Sequence, residues 1–247
     1  MPRFDRQSAL AASEDDVRRL GAQHLSEVTP SRRDFAQYVA TQKTELAVIA
    51  RVAAHTASAD RTAVLDYASA CDDAEVAALV VATEPGGLSV DDLAAIAAAT
   101  TAPILREALM IDRRQLYDAR LLGADAALFP ASELDAATLH DLVTVASSLH
   151  MASVVEVLSA IDLDKALALS HVIVGLRCER ADGSLDVEQT RRLAQRIPQT
   201  RTTITLPEAA SLADYGALRG VCDAIVAGEM LRTAVDLAAM IRQLTSG

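Results

Sequence analysis

Short apolar runs rich in Val, Ile, Leu and Ala recur along the chain, separated by longer amphipathic stretches. Eight of them read as strands: LAVIAR (46–51), ALVVAT (78–83), PILRE (103–107), DAALF (125–129), SVVEV (153–157), VIVGLR (172–177), TTITL (202–206) and DAIVA (223–227). Runs without strict polar alternation suit parallel strands covered on both faces. The stretches between them, such as SVDDLAAIAAATT, DRRQLYDARLLGA, DAATLHDLVTVASSLH and LDVEQTRRLAQRIP, carry helical periodicity. Ser89 and Asp186 stand where N-caps belong. Eight strand–helix units predict an α/β fold of the (β/α)8 TIM-barrel type, which takes about 250 residues. An open doubly wound sheet would want a G-x-G-x-x-G turn, and the sequence has none. Two further helical stretches, SEDDVRRLGAQHL and SRRDFAQYVATQK, precede the first strand. The chain thus divides into an N-terminal helical extension (1–45) and a barrel (46–247), together one structural domain. The extension either packs on the bottom or side of the barrel or lies as a lid over its active end.

Composition narrows the function classes. With 51% hydrophobic and 23% charged residues, the chain can bury enough apolar surface to fold. No window approaches the roughly 18 uninterrupted apolar residues of a membrane span. The charged start, MPRFDRQSALAASEDD, is unlike a signal peptide. Cys71, Cys178 and Cys222 are far apart and outside any C-x-x-C spacing, which suits a cytoplasmic protein without structural zinc. The net charge of −11 argues against nucleic-acid or anionic-membrane partners. Alanine makes up about a fifth of the chain, as in helix-rich proteins with close helix contacts. Its cations are 21 arginines and only two lysines, Lys43 and Lys165. Any chemistry requiring lysine must use one of those two.

One segment is specific. PILREALMIDRRQLYDARLLGADAALF (103–129) resembles the third and fourth strands of the indole-3-glycerol phosphate synthase family, with its P-V-L-R-K-D-F-I-I-D, Q-x-x-x-A-R and G-A-D-A motifs. RDFAQYV (33–39), TEPGGLSVDDL (83–93), VVEV (154–157), VGL (174–176) and AGEML (227–231) match in order. The resemblance implies a (β/α)8 enzyme of tryptophan biosynthesis that closes an indole ring on a carboxylated anilino sugar phosphate, losing CO2 and water. That chemistry needs lysines, proton-moving glutamates and a phosphate cradle after the last strands.

Carried over position by position, much of this is changed. The first-strand I-A-E-I-K pattern places Val48 at the glutamate and Ala50 at a lysine, and the following S-P-S-K-G loop becomes Ala53, Ala54, His55 and Thr56. The third-strand general-acid lysine becomes Glu107, in Leu105–Arg106–Glu107–Ala108. N-N-R of the sixth strand becomes Arg177, Cys178 and Glu179, and S-E-S-G of the seventh becomes Thr205, Leu206, Pro207 and Glu208. The fifth-strand glutamate persists as Glu156 and the phosphate-loop glycine as Gly228. Lys43 and Lys165 both fall where reaching the mouth is difficult.

The resemblance therefore places Val48, Ala50, Glu107, Glu156, Arg177 and Leu206 inside the barrel near its mouth. Arg177 is expected to bridge Glu107 and Glu156, either neutralising a retired site or taking a small anionic ligand beside a carboxylate base. Gly228 and Arg177 are the candidate ligand contacts. Cys178, next to an inward residue, should face the helices, and Tyr67 and Tyr117 should pack between barrel and helices. Glu84, Arg106, Asp112 and Glu229 should support loops and strand ends. His24, His140, His150 and His171 lack ligand spacing, so neither a metal site nor a cofactor is expected. Three functions follow: a non-catalytic binding or regulatory barrel with a protein partner or self-association, a rebuilt enzyme acting on a phosphorylated or carboxylated small molecule, or an active indole-3-glycerol phosphate synthase.

Overall fold

The computed structural model describes residues 5–20, 28–41, 45–53, 61–83 and 87–246. Two helices, α1 (Arg6–Leu20) and α2 (Phe35–Val39), precede β1 (Ala47–Val52). Strand and helix then alternate: α3 (Arg61–Asp73), β2 (Ala78–Ala82), α4 (Val90–Ala99), β3 (Ile104–Leu109), α5 (Arg113–Leu121), β4 (Ala126–Pro130), α6 (Ala136–Ser148), β5 (Ala152–Val157) and α7 (Ala160–Leu167). The series continues with β6 (Val172–Leu176), α8 (Val187–Ala194), β7 (Thr203–Thr205), α9 (Leu212–Leu218), β8 (Ala224–Ala227), α10 (Glu229–Arg232) and α11 (Leu237–Ser246). The eight strands are parallel and close into a barrel in sequence order, with β8 paired back onto β1. The expected TIM-barrel fold is the one observed.

Helix starts follow the local sequence. The Ser89 side chain accepts the Asp92 N–H in a capping box, and Asp186 accepts the Gln189 N–H. Asp112 and Gln115 form a second capping box at the start of α5. Such caps satisfy N–H groups that the helix leaves open, each contributing about 1 kcal/mol.

Side chains alternate across the sheet. Val48, Ala50, Val52, Leu79, Val81 and Ile104 pack outward with helix residues including Ala68, Leu93 and Ile96. Ile49, Val80, Leu105, Leu128, Val154, Ile173, Ile204 and Val226 fill the interior. Each such burial contributes about 1.5–3 kcal/mol. The lowest interior layer uses small residues: Ala47, Ala78, Ala126 and Ala224. Their size leaves room for Phe35 and Val39 of α2, which are buried there and stopper the base. Arg33 holds this stopper in place, with Nε 2.7 Å from Asp125 and Nη2 donating to the Gly123 carbonyl at 2.6 Å.

The other helix of the extension lies at the opposite end. Ala9 of α1 is buried against the interior cluster, and α1 packs on β3 and α5. Arg6 reaches the ends of β4 and β5. The extension thus covers both ends of the barrel, α2 below and α1 above.

Candidate functional site at the barrel mouth

The interior set of side chains turns from apolar to charged at the strand C-termini. β3 brings in Glu107, β5 brings in Glu156, and Arg177 follows the last residue of β6. Arg177 Nη2 donates to Glu107 Oε1 at 3.0 Å, and its Nε donates to Glu156 Oε1. All three side chains are at most 4% exposed, so the pairing is an interior one. Nη1 of Arg177 also faces Glu179 Oε1 at 3.3 Å. The bridge expected from the sequence is present, and each carboxylate in it has a second cation.

That second cation for Glu107 is Arg51, which is not part of the site expected from the sequence. Val48 and Ala50 were assigned to the interior; both instead face the helices. β1 is shifted by one position from the expected phase, putting Ile49 and Arg51 inside. The polypeptide offers Ala-Val-Ile-Ala here, with no polar residue to reveal which face is which. Arg51 Nη2 donates to Glu107 Oε1 at 3.1 Å and to the Leu206 carbonyl at 2.6 Å, and its Nη1 lies 3.0 Å from Glu107 Oε2. An arginine therefore stands on the first strand where the motif was read as having lost its cation.

A second correction concerns β7. Leu206 is buried in the interior as expected. The loop beyond Pro207, however, carries the Glu208 carboxylate back into the mouth, so a carboxylate is not missing from this side. Glu208 Oε1 lies 3.2 Å from Arg51 Nε, an ionic contact without hydrogen-bond alignment. Oε2 accepts the Glu229 backbone N–H at 2.9 Å. A Cβ built on Gly228 would overlap this carboxylate. The chain's own anion thus fills the glycine cradle after β8. Burial pushes the Glu208 carboxyl above its ordinary range, while Arg51 and the Glu229 N–H pull the other way.

Arg6 closes the corner between β4 and β5. Its Nη1 donates to Glu156 Oε2, its Nε to Glu133 Oε1 at 3.0 Å and its Nη2 to Ser132 Oγ at 2.6 Å. Arg6, Arg51 and Glu208 were all absent from the sequence-derived site. Only a charged residue inside an apolar strand flagged Arg51. Glu208 follows a strand-ending proline, and nothing local marks Arg6.

The remaining expectations sort by geometry. Cys178 faces α8, buried beside Thr190, and burial pushes its thiol up to about 11. Tyr67 and Tyr117 pack between barrel and helices. Arg106 points outward to Asp118, Thr83 and Asp16. Asp112 caps α5, and Glu229 opens α10. Lys165 reaches farther than expected: its Nζ donates to the Ala131 and Leu134 carbonyls at the rim, at 2.7 and 2.9 Å. Lys43, Ala54, His55, Thr56, Glu84 and His24 lie outside the described residues. His150 and His171 line a cleft of about 390 Å³ at the barrel base, and His140 shares a neighbouring one with His171. Among the described residues, no three His, Cys, Asp or Glu side chains group as metal ligands, and no helix is long and apolar enough to cross a membrane.

This is a (β/α)8 barrel with a buried cluster of arginines and glutamates at the face where such barrels carry their sites. The family model for indole-3-glycerol phosphate synthase matches residues 4–244, and the chain belongs to that family. It is 38% identical over 152 residues to an indole-3-glycerol phosphate synthase of Roseiflexus castenholzii, covering 60% of this chain and 56% of that protein. A tryptophan biosynthesis protein TrpCF of Yersinia pestis is 30% identical over 230 residues, covering 90% of this chain and 48% of that protein. The matches thus span about half the length of these relatives. A solved 3-hexulose-6-phosphate synthase superposes with a TM-score of 0.66 at 15% identity, covering 81% of this chain and 98% of that one, a likeness of fold alone.

Proposed function

We propose that this family member does not close the indole ring and serves as a binding or regulatory barrel. The observation that carries this reading is the mutual pairing at the mouth. Arg51 and Arg177 engage Glu107, Glu156 and Glu208, and Glu208 fills the Gly228 cradle. A substrate bearing both carboxylate and phosphate would have to displace that anion from a buried position. Among the described residues no lysine is placed to act as the acid, since the third-strand position is Glu107 and the rim lysine, Lys165, is engaged by two backbone carbonyls.

The test is incubation of the purified protein with the carboxylated anilino sugar phosphate, followed by indole fluorescence. The expected result is no product above a heat-treated control. Indole formation that survives purification and is abolished by Glu156→Gln overturns the proposal.

One observation favours the rebuilt-enzyme reading. Burial raises the Glu208 carboxyl, giving a group able to hold a proton beside a guanidinium. A substrate screen in which turnover disappears with Glu208→Gln would establish it.

A further inference from the structure

We propose that the corner formed by Ser132, Glu133 and Glu156 is a guanidinium-binding site, filled in this structure by the chain's own Arg6. When α1 lifts, it would accept an alkylguanidinium from outside. The proposal deepens the binding reading of the mouth and rests on it.

Three different acceptors meet the three nitrogens of Arg6, one per nitrogen. That arrangement reads the planar fork of a guanidinium; a compact ammonium has no equivalent spread of donors. Glu156 is the anchor, because its side chain is fully inaccessible to solvent. Its Oε1 belongs to Arg177, leaving Oε2 for the Arg6 position. The rim loop is held by its own bonds: the Glu133 and Leu134 N–H groups donate to the Pro130 carbonyl, and Lys165 ties down Ala131 and Leu134. The acceptors are therefore built into the barrel.

The donor is the removable part. α1 fully buries only Ala9, Ser13 and Leu20, Leu10 packs part-buried on the interior cluster, and the remaining attachments of the helix, Arg6 apart, are polar. These are Asp16 near Arg106 at 3.5 Å and the Ser13 carbonyl near Gln115 at 3.4 Å. A helix with so little apolar burial opens at small free-energy cost. Charge selects the sign of the incoming group. In the ion pairs at the mouth, Glu107, Glu133, Glu156, Glu179 and Glu208 face Arg6, Arg51 and Arg177. Withdrawal of Arg6 leaves a still more negative opening, which favours a cation over the anionic ligand expected from the sequence.

The guanidinium could come from a small metabolite or from an arginine of a peptide, so the test uses both. Agmatine, 1,5-diaminopentane and an acetylated Gly-Gly-Arg-amide peptide are titrated by calorimetry into the full chain and into Arg6→Ala. If Arg6 holds the site for roughly nine-tenths of the time, its removal tightens agmatine binding about tenfold. Diaminopentane should bind distinctly more weakly, and adding Glu133→Gln should reverse the gain. In the unaltered chain, agmatine should accelerate hydrogen exchange of backbone amides 6–20 in a saturable manner.

Tighter binding of the peptide than of agmatine assigns the site to a protein arginine, and the reverse order to a small molecule. Equal binding of agmatine by both proteins, or equal binding of diaminopentane and agmatine, overturns the proposal. If Arg6→Ala does not fold, unchanged exchange of 6–20 at saturating agmatine overturns it alone. Indole formation would refute the proposed function without touching these binding data, and absent binding would leave the lack of turnover intact.

Discussion

The carboxylate of Glu208 occupies the space that a side chain on Gly228 would need. The glycine's φ is −132°, not the left-handed conformation, and the contact itself leaves no space for a Cβ. Gly228→Ala should therefore cost about 1–3 kcal/mol, the usual range for overpacking. Urea denaturation should show most of that loss recovered when Glu208→Ala is added. Additive losses would mean that the two residues do not share this space.

Arg177 carries a different kind of load. Removing one partner from a buried ion pair costs about 3–5 kcal/mol. Here Glu107 keeps Arg51 and Glu156 keeps Arg6, so Arg177→Ala should fall below that range. Combined with Glu107→Gln, it should cost less than the sum of the single changes. Strict additivity in the denaturation cycle would show the bridge to be energetically idle.

Glu208 sets a pH dependence. Its carboxyl is raised above the ordinary 4.5, so the folded state takes up a proton at higher pH than the unfolded chain. Stability gained by protonation should therefore grow as pH falls through the raised value towards 4.5 and be absent at higher pH. Glu208→Gln should flatten that slope and keep or raise the melting temperature at neutral pH. A variant that melts lower at neutral pH while keeping the wild-type slope would count against this assignment.

Restoring the family lysine should do harm. Glu107→Lys would set an ammonium against Arg51 and Arg177, which both lie about 3 Å from the present carboxylate. The expected loss is about 3 kcal/mol or more, the cost of a buried charge facing like charges. It should come without indole formation. Adding Arg51→Ala should recover part of the melting temperature, and failure to recover any would show that the repulsion lies elsewhere.

All eight strands were legible because continuous apolar runs, bounded by capped helices, have few other readings. Residue phase within a strand was less legible. β3 could be set because the family's L-R-K-D pattern aligns with Leu105–Ala108, whereas β1 offered apolar residues on both faces and was read one position out. Arg51 was then the only charge available to correct it. Glu208 and Arg6 were hidden for another reason: each enters the mouth from a connecting or terminal segment. The period of a strand says nothing about where such a segment folds back. The position of the extension was undecided for the same cause, since Phe35 and Arg6 serve opposite ends of one barrel.

The stopper at the base also constrains the order of assembly. Phe35 and Val39 leave the ribosome before any strand, yet the alanine floor that receives them includes Ala224 of β8, among the last parts of the barrel to be made. Phe35 and Val39 can meet β1 and β2 early, but the floor that houses them is complete only once β8 has been made. Their docking joins residues far apart in the sequence, the kind of contact that slows folding. Closure of the ring by β8 thus also completes the seat of Phe35, on a helix that precedes every strand.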